Sequence, residues 1–547
     1  MTDTLKTGGE WVIEALRAEG VRHVFGIPGV HNLAIYDALF RQSERAADGA
    51  AISHVLARHE SGAAFMADGY ARSSGRVGVV IVTTGPGSTN VLTPLAESYA
   101  GSQPIVVVTS DVASGDLGRE VGALHEVTNQ IECFRPVTRM AEVLARASDI
   151  PTTVAGAFEL LRTGRPGPIA LSIPNDFLFG KSAGVVRGGA GRRPPCHVAE
   201  IGEAAKRLAA ARRPLIIAGG GVVSSGAEAE LVALARRLGA PVITTVMGRG
   251  AISERDPLWH SVLPNGRATE PAIREADVVL AVGCRFAARS TQGLVLKLSF
   301  APDQTLIHLD IDPTVIGKLF KPQLGIVGDA KDGLARLLET LGPGAPSQDW
   351  NRGGLADARR AMGPAWTVEA GRLLAILRDV LPDDGIFVND QSGVNYWAEW
   401  KWPVLQPRTF LYPVGSAVLG YAVPAAIGAQ VANPGKAVLA AMGDGGFMFS
   451  VNELATAVKY RLPIVFLVVN DNRYGAIKWL QERMFDGRWG ETELANPDFV
   501  KLAEAFGARG VKVKGLDDLG EAIRAGFAAD RPTVVELNMV LDPPWDV

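Results

Sequence analysis

Short runs that are apolar at nearly every position recur along this 547-residue chain, and each is followed by a helical pattern. Residues 77–83, 105–109 and 169–173 form one set, 214–218, 278–283 and 306–312 a second, and 385–388, 437–440 and 464–469 a third. A strand exposed on one face alternates apolar and polar residues. A run without alternation belongs to a strand covered on both faces, and so to a parallel sheet between helices. The pattern predicts an α/β protein of three doubly wound domains with mainly parallel sheets. Length agrees, since the chain exceeds one core and fits three units of roughly 180 residues. The Gly-, Arg- and Pro-rich stretch 184–195 and the stretch 342–347 read as linkers. They divide the chain into 1–183, 196–341 and 360–547, the third unit taking up its pattern near Trp366. No short-period repeat is evident.

Composition removes several classes of function. Hydrophobic residues make up 47% and charged residues 21%, as expected of a soluble packed protein. A formal net charge of −3 argues against a nucleic-acid partner. No apolar stretch is long enough for a transmembrane helix, so no membrane partner is expected. The N-terminus lacks a basic region followed by an apolar core. The 3 cysteines, Cys133, Cys196 and Cys284, are isolated, which suits a reducing cytoplasm and neither a disulfide framework nor a zinc site.

The third set of runs carries the strongest chemical signal. Gly443-Asp444-Gly445-Gly446 ends one run, and Asp471 ends the next, with a helical segment at 453–460 between them. Ligands of open α/β sheets sit at the carboxyl ends of strands, where glycines let backbone amides approach phosphate oxygens. Neighbouring strands would bring two carboxylates to one edge. Magnesium takes about six hard oxygens, commonly one or two carboxylates with phosphate and water.

With the run Asn470-Asp471-Asn472-Arg473-Tyr474-Gly475, this segment resembles the signature of thiamine-diphosphate enzymes, Gly-Asp-Gly followed one strand later by paired asparagines. The resemblance implies that Asp444, Asp471 and the carbonyl of Arg473 bind Mg2+. It places Gly443, Gly445, Gly446, Tyr474 and Gly475 around the coenzyme. Asp471 stands where the second asparagine usually does, which keeps an oxygen ligand and adds a negative charge. Gln391 and Ser392 resemble the loop that touches the diphosphate. The segment from Arg58-His59-Glu60 to Gly69-Tyr70-Ala71-Arg72 resembles the family's glutamate helix. There Glu60 would hydrogen-bond the coenzyme's aminopyrimidine, which then serves as base for the weakly acidic thiazolium C2 proton. A carboxyl group in that role should be buried and have a tuned pKa. Gly415-Ser416-Ala417-Val418-Leu419 resembles the stretch that bends the coenzyme, with Leu419 as the prop and the Ala417 carbonyl accepting the pyrimidine amine. The turn from Gly85 to Asn90 matches one near the pyrimidine-binding face.

The resemblance covers essentially the whole chain and is to the branch of acetolactate synthase and benzoylformate decarboxylase. It implies a thiamine-diphosphate- and magnesium-dependent 2-oxo acid decarboxylase or carboligase acting through a C2 ylide and an enamine. The alternatives are acetolactate synthase proper, which joins two pyruvates, and an FAD-dependent enzyme of the pyruvate-oxidase type. It also implies that Glu60 of one subunit reaches coenzyme held by another, making a homodimer the minimal unit and a homotetramer the usual one. At the mouth of the site, Gly26-Ile27-Pro28-Gly29-Val30-His31 resembles decarboxylases of guanidino-oxo acids. Val30 stands where pyruvate decarboxylases carry an aspartate. His125 replaces a glutamine usual in acetolactate synthases, and with His31 is a candidate proton relay. Ala476, Ile477 and Leu480 would line the substrate side, Leu480 replacing the tryptophan of acetolactate synthases. Trp479 and Trp489 read as packing residues. Gly219-Gly220-Gly221 is a weak phosphate-loop signal, and Leu263-Pro264-Asn265-Gly266 departs from the FAD-associated pattern, so FAD is not favoured.

Overall fold

The computed structural model describes residues 5–45, 51–189, 191–263, 266–291, 297–344, 349–360 and 367–545. Trp366, the expected start of the third unit, lies outside them, as do Ala190 and residues 345–347 of the linkers and Pro264 and Asn265. Three six-stranded sheets form, and every strand pairing within them is parallel. Among the described residues, the one antiparallel pair of named strands joins Lys6–Thr7 to Lys181–Ser182 and ties the two ends of the first domain together. Among the described residues, no helix is long and apolar enough to cross a membrane.

The first sheet runs in the order Ser53–Leu56, His23–Gly26, Gly78–Val82, Ile105–Asp111, Ile169–Pro174, Met140–Val143. The third runs Phe410–Leu411, Ile386–Asn389, Val438–Gly443, Val465–Asn470, Thr533–Asn538, Arg509–Val513. Numbered within each domain, both orders are 2-1-3-4-6-5. The middle sheet follows 3-2-1-4-5-6, from Trp259–Val262 through Pro214–Ala218 to Leu324–Val327. Where such an order reverses, adjacent loops diverge and leave a crevice beyond the strand ends. In the first domain that crevice lies after His23–Gly26 and Gly78–Val82, beside Val30, His31 and Gly85. In the third it lies after Ile386–Asn389 and Val438–Gly443, beside Gln391, Ser392 and Asp444.

The first and third domains share a core. Phe25, Ala63, Phe65 and Met66 belong to the same buried cluster as Tyr421, Ile427, Met442 and Phe466. The join is a close crossing of the helix Glu60–Ser74 with the helix Ala422–Ala432. A Cβ on Gly428 would stand 1.8 Å from the Met66 carbonyl oxygen, and one on Gly69 would stand 2.1 Å from that of Ala425. Only glycine permits backbones to approach so closely. One end of the crossing is held by buried charge. Arg72 donates to Asp68 Oδ1 at 2.5 Å, to Glu97 Oε1 at 3.1 Å and to the Tyr412 carbonyl at 3.0 Å. The Tyr421 hydroxyl donates to Asp68 at 2.9 Å. Breaking one member of such a buried network costs roughly 3–5 kcal/mol, because its partner is left charged and dry.

Gly428→Ala is therefore expected to lower the stability of the folded chain by about 1–3 kcal/mol or more. Urea unfolding followed by tryptophan fluorescence checks this, and an unchanged midpoint would show that the helices can separate at no cost.

Candidate active site

At the edge of the third domain, Gly443 ends its strand and Asp444 opens the helix Asp444–Ser450. Asp444 is 1% exposed and accepts a hydrogen bond from Asn496 Nδ2 at 2.5 Å. Asp471 follows the neighbouring strand and is half-buried. Burial and then the charge of Asp471 raise the Asp444 carboxyl above its usual range. Burial also raises Asp471, against the pull of Arg473, whose Nε donates to Asp471 Oδ2 at 2.9 Å. The guanidinium of Arg473 thus answers the extra negative charge at Asp471, a role beyond the carbonyl ligation expected of it. Among the described residues no group of three or more His, Cys, Asp or Glu gathers at one point. A buried and a half-buried carboxylate alone suit a hard cation that takes its other ligands from phosphate and water.

The surroundings fit a diphosphate. A Cβ on Gly445 would lie 2.6 Å from Tyr474 Cε1, and one on Gly446 3.1 Å from Asp390 Cγ. Ser392 stands at the mouth of the crevice, with its Cβ 3.6 Å from where a Cβ on Gly443 would be. Its buried Oγ has no hydrogen-bond partner among the described residues. Gln391 turns away, donating from Nε2 to the Pro413 carbonyl at 2.9 Å. Asp390, which sequence reasoning missed, is fully buried, and burial pushes its carboxyl up to about 6. It accepts the Ala422 amide at 3.0 Å and so anchors the start of the Ala422–Ala432 helix.

The residues expected on the pyrimidine side gather on the first domain. Glu60 opens its helix behind His59, whose Nδ1 accepts the Ser61 amide at 3.2 Å. Glu60 Oε2 accepts Asn90 Nδ2 at 2.9 Å. The expected burial of Glu60 is not met within one chain, where it is half-buried, because it sits at the rim of the sheet edge. Gly85 has φ +67 and donates its N–H to Gln130 Oε1 at 2.7 Å. The His125 carbonyl would lie 2.4 Å from a Cβ there. His31 and His125, 94 positions apart in sequence, meet edge to face with ring centroids 5.5 Å apart. His31 Nδ1 is 2.9 Å from Thr84 Oγ1. Burial first and His125 second lower the His31 imidazole below its usual value. Thr84 and Gln130 carried no sequence signal, since hydroxyl and amide side chains in loops read as solvated.

The segment Gly415-Ser416-Ala417 is exposed, and Ala417 holds φ +53, a left-handed conformation unusual for a residue with a Cβ. It is held from across the domain boundary. The amides of Gly415 and Ser416 donate to Glu97 Oε2 at 3.1 and 2.7 Å. Leu419 is half-buried. Of the residues expected to line the substrate side, Ala476 and Leu480 are half-buried, while Val30 and Ile477 are exposed. Trp479 is buried against Trp545, and Trp489 lies beneath Lys478 Nζ at 3.4 Å from its ring centroid.

A cavity of about 560 Å³ opens where the three domains meet, lined by Gly220, Gly221, Gly283 and Arg285 of the middle domain together with Arg165 of the first and Arg408 of the third. The glycines themselves answer to packing. A Cβ on Gly219 would stand 2.1 Å from the Gly283 carbonyl oxygen, and one on Gly221 2.5 Å from Gly283 Cα.

Because burial raises Asp444 and Asp471, ionising them costs stability in the coenzyme-free protein, and that cost grows as pH rises above the usual carboxylate range. A bound dication takes the ionised pair and reverses the sign. The rise in thermal midpoint on adding magnesium and thiamine diphosphate should be larger at about pH 7.5 than at about pH 5, and Asp444→Ala should abolish most of it. Equal gains at both pH values would remove the pair from the metal site.

Three family domains match along the chain: the thiamine pyrophosphate enzyme N-terminal TPP binding domain over residues 6–133, the central domain over 201–337, and the C-terminal TPP binding domain over 391–537. A probable acetolactate synthase large subunit of Methanocaldococcus jannaschii is 35% identical, over 98% of this chain and 92% of its own. The acetolactate synthase large subunit of Corynebacterium glutamicum is 35% identical, over 97% and 86%. A probable 2-ketoarginine decarboxylase of Pseudomonas aeruginosa is 37% identical, over 97% and 94%. The chain belongs to the thiamine pyrophosphate enzyme family, and thiamine diphosphate is its coenzyme.

Proposed function

We propose that this enzyme decarboxylates a 2-oxo acid and completes its cycle by proton transfer, with a magnesium ion holding the coenzyme diphosphate. The bound coenzyme supplies the positive ring that accepts the electron pair left when carbon dioxide departs. Asp444, Asp471 and the Arg473 carbonyl hold the metal, and Ser392 and the amides around Gly445 and Gly446 face the phosphates. Glu60 orients the pyrimidine and sets its protonation. Ala417 and Leu419 fix the coenzyme's bend.

The observation that carries the decarboxylase reading is the meeting of His31 and His125 beside Gly85. The two imidazoles meet as rings and not through a hydrogen bond, so a proton would pass between them by way of a water or a substrate atom held between the two. The lowered His31 imidazole is neutral at neutral pH, so it accepts a proton there rather than only giving one. The similarity to a probable 2-ketoarginine decarboxylase supports the same reading. Acetolactate synthesis is the second reading, favoured by the names of other relatives, with Leu480 standing against it.

A second subunit completes the site in this reading, the minimal unit being a homodimer and the form implied by the family resemblance a homotetramer in the cytoplasm. Its support is the exposed apolar surface beside the metal edge. Met448, Phe449 and Ile477 are exposed on the two helices that begin at Asp444 and Gly475, and Met484 and Phe485 extend it.

A panel of 2-oxo acids, assayed for carbon dioxide and for the organic product, tests the function directly. Release of carbon dioxide with an aldehyde as product is expected; acetolactate from pyruvate alone would establish the second reading instead. His31→Gln and His125→Gln should each lower kcat by about 10²-fold, while Glu60→Gln should lower it by roughly 10²–10⁴. With His31 lowered, the acid limb of the kcat profile should fall below the ordinary imidazole range. A limb that stays in place in His31→Gln would show that another group sets it.

A further inference from the structure

Glu453 has no place in the site as described so far, yet it is 0% exposed at the boundary between the first and third domains. It closes the short turn Val451–Glu453 that follows the helix begun by Asp444. The Arg58 amide donates to both of its carboxyl oxygens at 3.1 Å, and the His59 amide donates to Oε1 at 2.9 Å. These are the two residues immediately before Glu60. The Thr456 hydroxyl, also bonded toward the Leu56 carbonyl, lies 2.8 Å from Glu453 Oε2. A Cβ on Gly62 would stand 2.1 Å from Glu453 Oε1 and 2.6 Å from its Cδ, so the glycine makes room for the carboxyl group. Burial pushes that carboxyl up to about 7, although Thr456 and the two amides pull it down. An apolar side chain would fill this position without that penalty, so the group is retained for the hydrogen bonds it accepts.

We infer that Glu453 is a positioning residue for the reaction: a third-domain carboxyl group that fixes, through the amides of Arg58 and His59, the turn from which Glu60 projects. His59 caps the helix from within by accepting the Ser61 amide, and Glu453 holds the same turn from outside. The two supports leave the backbone before Glu60 little freedom, and an acid that must hydrogen-bond one ring nitrogen depends on that restriction. The inference rests on the reading of Glu60 as the activating acid.

The test compares Glu453→Ala, Glu453→Gln and Gly62→Ala in the full chain saturated with thiamine diphosphate and magnesium. Glu453→Ala removes the acceptor, and Gly62→Ala displaces it while keeping the glutamate. Each should lower kcat by on the order of tenfold or more and change KM by less than about twofold. Glu453→Gln, whose side-chain oxygen still accepts the amides, should retain most of the rate. In coenzyme-free protein, hydrogen exchange at the Arg58 and His59 amides should accelerate in the first two variants and not in the third. Neither Glu453→Ala nor Gly62→Ala should cost further rate in a Glu60→Gln background. Faster exchange with an unchanged kcat would make Glu453 a staple between domains and overturn the inference, as would a full additional loss in the Glu60→Gln background. If Glu453→Ala does not fold, Gly62→Ala decides by the same two readouts. A Glu60→Gln enzyme of undiminished rate would instead overturn the reading of Glu60, which the exchange measurement does not touch.

Discussion

The crossing of the helices Glu60–Ser74 and Ala422–Ala432 is the constraint on which the rest depends. With Gly69 and Gly428 in backbone contact, neither helix can shift without opening the core that the first and third domains share. Each domain then places a buried carboxyl group in the other's working segment. Glu453 of the third domain accepts the amides ahead of Glu60, and Glu97 of the first accepts the amides ahead of Ala417. The exchange is reciprocal. Both segments are thereby set by the same interface, so an error in domain docking would disturb the turn before Glu60 and the loop at Ala417 together.

Charge is distributed so that the buried acids are not equivalent. Glu97 is paired with Arg72, which also holds Asp68, and the set is closed by the Tyr421 hydroxyl. Glu453 receives only neutral donors and the more distant influence of Arg58, and its carboxyl is pushed up to about 7. Asp390 likewise leans on backbone amides and is pushed up to about 6. Burial raises the Glu97 carboxyl as well, against the pull of Arg72 and of the Ser416 and Gly415 amides. Asp471 lies between these cases: it stands where the family signature carries an asparagine, and Arg473 two residues on compensates for its charge.

The central strands were legible because a strand covered on both faces must be apolar throughout. Val79 to Val82, Ile216 to Ala218 and Val465 to Val468 have no solvent-facing side on which to be polar. The edge strands Arg509–Val513, Met140–Val143 and Ser53–Leu56 went unnamed because they are largely half-buried or exposed, and the interior strands His23–Gly26, Val242–Thr244 and Thr533–Asn538 because their apolar runs are short or broken. Gly443-Asp444-Gly445 was legible because a strand end, a carboxylate and close backbone approach converge within three residues. Glu97 and Glu453 were not, since a glutamate in a helical stretch reads as a solvated face, and only a partner more than 300 residues away reveals its burial. The shared strand order of the first and third domains left no repeat in the sequence, because topology constrains the spacing of apolar runs and not their residues. Gly219-Gly220-Gly221 shows the converse, a motif with a chemical look whose glycines answer to contact with Gly283.

Backbone strain gives a further reason to regard the loops as built for one geometry. His125, Ala417 and Asn472 all have positive φ, at 63, 53 and 55 degrees, and all lie in segments assigned to the site. Asparagine tolerates this conformation, but histidine and alanine adopt it at a cost of about 1–2 kcal/mol each. The cost is met by contacts that would be lost if the loops relaxed. Asn472 is held as Leu494 donates to its carbonyl at 2.7 Å, and Ala417 follows directly on the two amides bound by Glu97. His125 has its carbonyl against Gly85, where any side chain would collide. A loop strained in this way does not sample many alternatives, so the imidazole of His125 and the carbonyl of Ala417 are oriented before any ligand arrives. Preorganisation of that kind is worth most where a proton must travel between fixed atoms, which is the use the paired histidines suggest.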